Sequence, residues 1–264
     1  MAAKTPQSKR KRKSRAHPGT PALGELRLLD KVAVVTGGSR GIGQAIAGAL
    51  AAEGCSVVIT GRDGLALIKS IAQIDKLVGP RTIIPIVCDV RDEKSVRALF
   101  AEVKRRFGKI DVLVNNAGIT QSVVTVEETT LEMWRDVLDT NLTGTFLCTR
   151  AALPMMQAGA TVINNLSAAA KRVFPKFATY SAAKRGALGF TLSLREELIP
   201  RGIRVVALMP GATATDMWDQ IMPDAPRERM VSVESVAQAV LYAVLLPSNA
   251  NLSELLLEPT SGAL

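Results

Sequence analysis

The sequence is poor in cysteine, histidine and long apolar runs, and each scarcity excludes a class of protein. Three cysteines, Cys55, Cys88 and Cys148, stand far apart with no CxxC spacing, which predicts buried, unpaired thiols in a reducing compartment. The single histidine, His17, lies in a basic N-terminal stretch, so we expect no protein-built metal site. No apolar run approaches the roughly 18 residues that cross a bilayer, and no secretory signal pattern follows the basic start. The sequence therefore predicts a cytoplasmic protein with no membrane segment.

The positive charge is concentrated at the N-terminus. Of 33 basic and 24 acidic residues, seven basic and no acidic ones lie in residues 1–24, so the remainder of the +9 chain carries only +2. Because the run Lys9–Lys13 repels itself and cannot form a core, we expect a disordered tail over 1–24 and a folded domain over 25–264. The tail is either a solvated extension or a contact for nucleic acid, an anionic membrane or a localisation receptor through residues 1–20. The nearly neutral domain argues against nucleic acid as its own ligand.

Seven short apolar runs alternate with six segments of helical period after Lys31, in a chain that is 47% hydrophobic. Near-continuous apolar strands separated by helices predict a single-domain α/β fold of the Rossmann type: a doubly wound, parallel, seven-stranded sheet with helices on both faces. The predicted strands are Val32–Thr36, Val57–Thr60, Thr82–Val87, Val112–Asn115, Thr161–Leu166, Val205–Met209 and Leu255–Leu257. The predicted helices span 42–53, 64–78, 93–107, 131–157, 181–199 and 233–246. Segment 211–230 has no clear period, which fits either a mobile lid or a surface connection.

The first predicted strand runs into a glycine-rich turn over residues 36–43, and an alanine-rich helix follows. Glycines allow a sharp turn and a close approach of the backbone to a ligand. The free N–H groups and positive dipole end of the next helix suit a pyrophosphate. The spacing is G-x3-G-x-G, and its place between a strand and a helix indicates a dinucleotide site.

The end of the second strand indicates which dinucleotide binds. NAD sites usually place Asp or Glu there for the ribose hydroxyls, whereas NADP sites use Arg. Gly61 occupies the position of the acid, Arg62 follows it, and Arg40 can reach the same phosphate from the glycine turn. Asp63 is the competing acid, and we interpret it as the N-cap of the second helix. The pattern favours NADP(H).

The chemistry is expected at Tyr180, Lys184 and Ser167. Tyr180 and Lys184 are four residues apart, so they share one helix face. An ammonium beside a phenol, helped by an oxidised nicotinamide, favours phenolate and lowers the phenol pKa from its usual value near 10. Ser167 ends a strand at the carboxyl edge of the sheet, where it can hold a substrate oxygen. A Y-x3-K pair alone also fits an ordinary exposed helix pair.

Together these motifs resemble the short-chain dehydrogenase/reductase family, in its single-domain form similar to 3-oxoacyl-acyl-carrier-protein reductases. The resemblance covers nearly everything from Leu29 to Thr260. Its motifs occur in the family's order: the turn at 36–43, Asp89-Val90, Asn115 to Gly118, Asn141 to Gly144, Ser167, Tyr180 with Lys184, and Pro210-Gly211.

The resemblance implies a role for each matching residue. Tyr180 would be the general acid/base and Ser167 the group that orients the carbonyl. Lys184 would lower the Tyr180 pKa and hold the nicotinamide ribose, and Asn141 would position a water that links Lys184 to solvent. Besides Tyr180 and Lys184, the expected cofactor-binding residues are Gly37, Ser39, Arg40, Gly41, Ile42, Gly43, Arg62, Asp89, Val90, Asn116, Ala117, Gly118, Pro210, Gly211, Thr213 and Thr215. Among these, Asp89 and Val90 would contact adenine, and Pro210, Gly211 and Thr215 the carboxamide.

Five residues qualify this interpretation. Thr213, Ala170 and Asn165 depart from the family's pattern, which puts the fine geometry in doubt while leaving each catalytic group in place. Asp89 and Asn115 have a plainer alternative, which is to cap turns.

Three function classes remain open from the sequence. The leading one is an NADPH-dependent ketone reductase, or the reverse alcohol dehydrogenase, acting on a 3-oxoacyl, small hydroxy-acid or ketone substrate. The others are a catalytically silent NADP-binding regulator and a nucleic-acid-associated protein that acts through its tail. The predicted helices 131–157 and 181–199 carry apolar residues on more than one face, which predicts a homotetramer or homodimer.

Overall fold

The computed structural model describes residues 26–120 and 122–262, with the side chain of Gln220 excepted, so the predicted tail over 1–24 lies outside the described residues. Within them a seven-stranded parallel sheet has the order β3-β2-β1-β4-β5-β6-β7. The strands are β1 Val32–Thr36, β2 Ser56–Gly61, β3 Ile83–Val87, β4 Val112–Asn115, β5 Thr161–Asn165, β6 Arg204–Pro210 and β7 Glu254–Leu257. The predicted doubly wound fold is confirmed, and the predicted strand ends are within one residue of those observed.

Helices cover both faces of this sheet. They are α1 Gly41–Ala52, α2 Gly64–Val78, α3 Glu93–Phe107, α4 Leu131–Leu138, α5 Gly144–Ala152, α6 Ala178–Leu198, α7 Trp218–Ile221 and α8 Val233–Leu245. The side chain of Asp63 accepts from the backbone N–H groups of Leu65 and Ala66, which confirms Asp63 as the N-cap of α2. No helix in the described part of the chain is both long and apolar enough to span a bilayer.

Successive residues of β1 point to opposite faces of the sheet, and both faces are buried. Val35 packs in the layer formed with α1, α2 and α8, whereas Val34 packs in the layer formed with α3, α5 and α6. Two buried faces require a strand that is apolar at consecutive positions, which is the pattern of the sequence. Cys55, Cys88 and Cys148 are buried and unpaired, as predicted.

The single helix predicted over 131–157 is wrong. A π-helical turn, Asp139–Thr143, separates α4 from α5, and a 3-10 turn, Leu153–Met155, follows α5. At the π turn the Asn141 side chain donates to the Val137 carbonyl oxygen at 2.9 Å. Such a widened turn alters the direction of the side chains that follow, and it is frequent at functional sites. An apolar period does not distinguish it from a continuous α-helix.

Segment 211–230 is hydrogen-bonded to the end of β7, where the Gly211 N–H donates to the Leu257 carbonyl oxygen at 2.7 Å. It contains α7 and a 3-10 turn, Arg227–Arg229. The Arg227 guanidinium donates to the Thr215 carbonyl oxygen at 3.0 Å and to Asp219 at 2.6 Å, so one side chain joins both halves of the segment.

Candidate active site

A cleft of about 510 Å³ lies at the carboxyl ends of the strands, where open parallel sheets bind ligands. Every site residue named from the sequence lines this cleft. The glycine turn after β1 and the ends of β2 and β4 form one part of it. Ser167 after β5, the first two turns of α6 and the segment after β6 form the other part.

The glycine turn forms a cradle that side chains would fill. Gly37 and Gly41 have φ values of +66° and +56°, which favour glycine. A Cβ at Gly43 would overlap the carbonyl oxygen of Gly37. The Arg40 side chain makes no capping bond at the start of α1. The first N–H groups of α1 therefore remain available for an anion, and the cradle fits a dinucleotide pyrophosphate.

Thr36 and Asn116 hold this turn against β4. The Thr36 hydroxyl accepts from the backbone N–H groups of Asn116 and Ala117 at 2.9 and 3.0 Å. The Asn116 side-chain amide donates to the carbonyl oxygens of Thr36 and Gly37 at 3.0 and 3.1 Å. These four bonds fix the cofactor side of the cleft to two neighbouring strands.

A cationic rim lies beside Gly61. A Cβ at Gly61 would be 3.7 Å from the Ser39 hydroxyl oxygen, so a carboxylate there would face the glycine turn. Arg62 and Arg40 are exposed at this rim, and Arg40 lies 3.8 Å from Asp216. Two guanidiniums and a hydroxyl suit a phosphate dianion better than an uncharged ribose.

Asp89 lines the cleft but also stabilises its own turn. Its carboxylate accepts from the Arg91 backbone N–H at 3.0 Å and from the Arg91 guanidinium at 2.7 Å. The Arg91 hydrogen bonds, with a smaller contribution from the nearby charge of Arg62, hold the pKa of Asp89 below its usual value. Asp89 therefore does stabilise a turn, as the alternative interpretation states. This role does not conflict with the predicted contact to adenine.

Asn115 does not cap a turn. Its amide donates to the Thr149 hydroxyl and to Asn164 Oδ1, both at 2.8 Å, in the buried layer between β4, β5 and α5. That interpretation of Asn115 is therefore wrong.

The Ser167 hydroxyl lies close enough to the Tyr180 hydroxyl to affect the pKa of the phenol. Ser167 follows β5, and Tyr180 lies in the first turn of α6, which begins three residues earlier than predicted. Burial raises the pKa of the Tyr180 phenol above its usual value, and the Ser167 hydroxyl opposes that rise. Burial therefore acts against the lowering of the phenol pKa that the sequence predicts with an oxidised nicotinamide in place.

Lys184 lies beneath the phenol. Its Nζ is 5.5 Å from the centre of the Tyr180 ring and donates to the Asn165 backbone oxygen at 3.1 Å. The residue is only 5% exposed, and burial lowers the pKa of its ammonium to about 8. The Lys184 ammonium lies over the ring of Tyr180 and donates to the Asn165 carbonyl oxygen. Burial therefore remains the main influence on the pKa of the Tyr180 phenol.

Asn141 and Lys184 border one small space at the floor of the cleft. A Cβ at Gly118 would lie 2.7 Å from Asn141 Oδ1 and 3.5 Å from Lys184 Nζ. The Asn141 amide donates to the Ile119 and Val137 carbonyl oxygens at 2.8 and 2.9 Å. Its Oδ1 is buried and has no partner within residues 26–120 and 122–262. A buried carbonyl oxygen of this kind normally accepts from a water.

Asn165, Phe174, Phe177 and Trp218 are among the cleft residues to which the sequence assigned no role in the site. Asn165 was noted as a departure from a pattern, and its amide donates to Asn116 Oδ1 at 2.8 Å. Phe174, Phe177 and Trp218 line the cleft around the hydroxyl pair. The regular three-residue spacing of Phe174, Phe177 and Tyr180 is the sequence feature that could have indicated this aromatic cluster.

The fold and this cleft define a dinucleotide-dependent oxidoreductase. A model of the short chain dehydrogenase family matches residues 31–226, and the chain belongs to that family. The chain is 39% identical to a 3-oxoacyl-[acyl-carrier-protein] reductase of Synechocystis over 231 residues, which is 84% of this chain and 92% of that protein.

Solved structures agree with the sequence comparison. A short chain dehydrogenase from Burkholderia cenocepacia in complex with NADP superimposes with a TM-score of 0.78 at 35% identity, covering 88% of this chain and 97% of that one. An alcohol dehydrogenase from Thermococcus sibiricus, complexed with 5-hydroxy-NADP, gives 0.78 at 29% identity, with 87% and 97% covered.

Proposed function

We propose that the protein reduces a ketone to a secondary alcohol with NADPH, or catalyses the reverse oxidation with NADP⁺, through Tyr180, Ser167, Lys184 and Asn141. The observation that carries these roles is the placement of the Ser167 and Tyr180 hydroxyls beside each other in the cleft, next to a buried lysine. Two hydroxyls at one point can hold a carbonyl oxygen and supply it with a proton.

NADPH, when bound, supplies the hydride to the carbonyl carbon. We assign the pyrophosphate to the cradle of Gly37, Ser39, Gly41, Ile42 and Gly43, and the 2′-phosphate to the rim with Arg40 and Arg62. The NADP of the related Burkholderia cenocepacia structure and the 5-hydroxy-NADP of the Thermococcus sibiricus structure support the same cofactor here. The remaining cofactor contacts are assigned to Asp89, Val90, Asn116, Ala117, Gly118, Pro210, Gly211, Thr213 and Thr215, which line the cleft between these ends.

The chain's own groups then move the proton. The Ser167 and Tyr180 hydroxyls orient the substrate oxygen, and the Tyr180 hydroxyl protonates the alkoxide as it forms. With a pKa near 8, Lys184 can return a proton toward Tyr180 at neutral pH. A water held by Asn141 Oδ1 beside Lys184 would connect this lysine to solvent. In alcohol oxidation each proton moves in the opposite direction.

We also propose that the protein forms a homotetramer or homodimer and that it is located in the cytoplasm. Leu131, Trp134 and Phe146 are exposed on α4 and α5, the region where the sequence predicted a second apolar face. The three unpaired cysteines suit a reducing compartment. Light scattering at micromolar concentration should give a multiple of the monomer mass, and a monomer would contradict the assembly.

Activity is tested with purified protein, NADPH and a panel of ketones that includes β-keto esters, diketones, quinones and steroids. Loss of NADPH absorbance must match formation of the alcohol, measured by chromatography. Binding of NADPH without turnover of any ketone, or of the corresponding alcohols with NADP⁺, would contradict the proposed reaction.

A further inference from the structure

Three aromatic residues that line the cleft, Phe174, Phe177 and Tyr180, have their rings in contact in that order. The ring centres of Phe174 and Phe177 are 6.5 Å apart, and those of Phe177 and Tyr180 are 6.3 Å apart. Their planes meet at 65° and 77°, close to the edge-to-face arrangement that aromatic pairs prefer. The sequence has only ten aromatic residues, six Phe, two Tyr and two Trp. The cleft is therefore enriched in aromatic residues relative to the rest of the chain. We call Phe174, Phe177 and Tyr180 the aromatic ladder.

An apolar wall from α7 borders the same cleft. The indole N–H of Trp218 donates to the Thr213 carbonyl oxygen at 2.9 Å, so this donor is already used and the ring contributes apolar surface. Ile221 and Met222 stand beside it. An unbranched Met adapts to the shape of an apolar ligand. This wall and the aromatic ladder both suit a large apolar group.

Small side chains keep the space next to the hydroxyl pair open. Ala168 and Ala169 follow Ser167 directly and line the cleft. Each bears only a methyl group, so a rigid ring attached to the carbonyl carbon can approach Ser167 without meeting a longer side chain.

Two basic residues near the aromatic ladder form ion pairs with glutamates. The Arg172 guanidinium, which lines the cleft, forms an ion pair with Glu258. Its neighbour Lys171 pairs with Glu254 on β7. An anionic group placed beside Arg172 would have to compete with Glu258 for this guanidinium.

We infer that the substrate is an aryl ketone, in which the carbonyl carbon is bonded to a flat, extended ring system. This inference rests on the proposed function and names its substrate class. The carbonyl oxygen would meet Ser167 and Tyr180, and the rings would lie against Phe177 and Phe174. The hydride from NADPH forms the new C–H bond, the carbonyl π electrons become the alkoxide pair, and Tyr180 protonates that oxygen. The products are a benzylic-type secondary alcohol and NADP⁺.

Binding is measured by calorimetry on the protein saturated with NADP⁺, which prevents ketone reduction. The probes are 2-acetylnaphthalene and its saturated counterpart 2-acetyldecalin, which share a carbon skeleton and differ in flatness and aromaticity. We expect the dissociation constant of the naphthyl ketone to be at least about tenfold lower. In Phe174→Leu and Phe177→Leu this ratio should fall to about threefold or less, because leucine keeps apolar bulk and removes the ring.

Phe107→Leu is the matched control, since Phe107 ends α3 and packs in the layer of α3, α5 and α6. It should keep the wild-type ratio. Equal dissociation constants in the wild type, or a ratio that survives in both cleft variants, would overturn the inference. Turnover of the same ketones with NADPH is scored separately. A binding preference without turnover of these ketones, of the other ketones of the panel or of the corresponding alcohols would support the aryl site and contradict the proposed reaction. Turnover without a binding preference would support the proposed reaction and contradict the aryl site.

Discussion

The Lys184 ammonium donates to the backbone carbonyl oxygen of Asn165 at 3.1 Å, and this contact joins the two halves of the cleft. The side chain of the same asparagine donates to Asn116, which in turn binds Thr36 and Gly37 of the glycine turn. A continuous set of hydrogen bonds therefore runs from Lys184 to the glycine turn. Its two ends give separate predictions.

At the lysine end, stability should depend on pH through Lys184. Its pKa falls from 10.5 to about 8 on folding, because burial penalises the ammonium. Between these two values the unfolded chain binds the extra proton, so this residue makes the folded state more stable as pH rises from about 8 to 10.5. Cys55 has a pKa raised to about 12 by burial, which acts in the opposite direction above about pH 9.

The comparison with Lys184→Met isolates the lysine. The free energy of unfolding of the wild type, minus that of Lys184→Met, should increase between pH 8 and 10.5 in denaturant titrations. A difference that stays constant over this range would show that the pKa of Lys184 is not lowered by folding.

At the other end, Thr36→Val should destabilise the protein and weaken NADPH binding. The substitution keeps the shape of a buried side chain but leaves the N–H groups of Asn116 and Ala117 without their acceptor, at a cost of about 1–3 kcal/mol. Thr161→Val is the matched control, because the buried Thr161 hydroxyl has no hydrogen-bond partner within the described residues. Chemical denaturation should show a loss for Thr36→Val and little change or a gain for Thr161→Val. Equal effects would contradict the role of the Thr36 hydroxyl.

NADPH should bind at least about tenfold more tightly than NADH, a difference near 1.4 kcal/mol. Gly61→Asp combined with Arg62→Ser should move the preference toward NADH, since a carboxylate near Ser39 repels a phosphate and accepts from ribose hydroxyls. Gly61→Ala supplies the Cβ without the charge and should keep the NADPH preference. Cofactor fluorescence titrations measure all three, and equal wild-type affinities would contradict the assignment of the cationic rim.

Strands, cofactor turn and catalytic motif could be predicted because each is encoded locally. β1 needs apolar residues at consecutive positions, and Gly43 leaves no room for a side chain. The π turn at Asn141 could not be predicted, because its signal is a side-chain bond to Val137 inside an ordinary apolar period. The effect of burial on the Tyr180 pKa could not be predicted either, because burial and the position of Lys184 are both set by tertiary packing.

Tyr180→Phe tests the proposed proton donor most directly. It keeps the ring, and with it the edge contact to Phe177, while it removes the hydroxyl that meets Ser167. A positioned general acid typically contributes about 10²–10⁴-fold, so turnover should fall by about that factor while NADPH affinity changes little. Tyr242→Phe is the control, since Tyr242 is 63% exposed on α8 and the sequence has no third tyrosine.

Ser167→Ala should also lower turnover, and the double variant should lose less than the product of the two single losses because the hydroxyls act as a unit. Stopped-flow measurement of hydride transfer on a working substrate separates these effects, and a near-normal rate for Tyr180→Phe would show that another group supplies the proton.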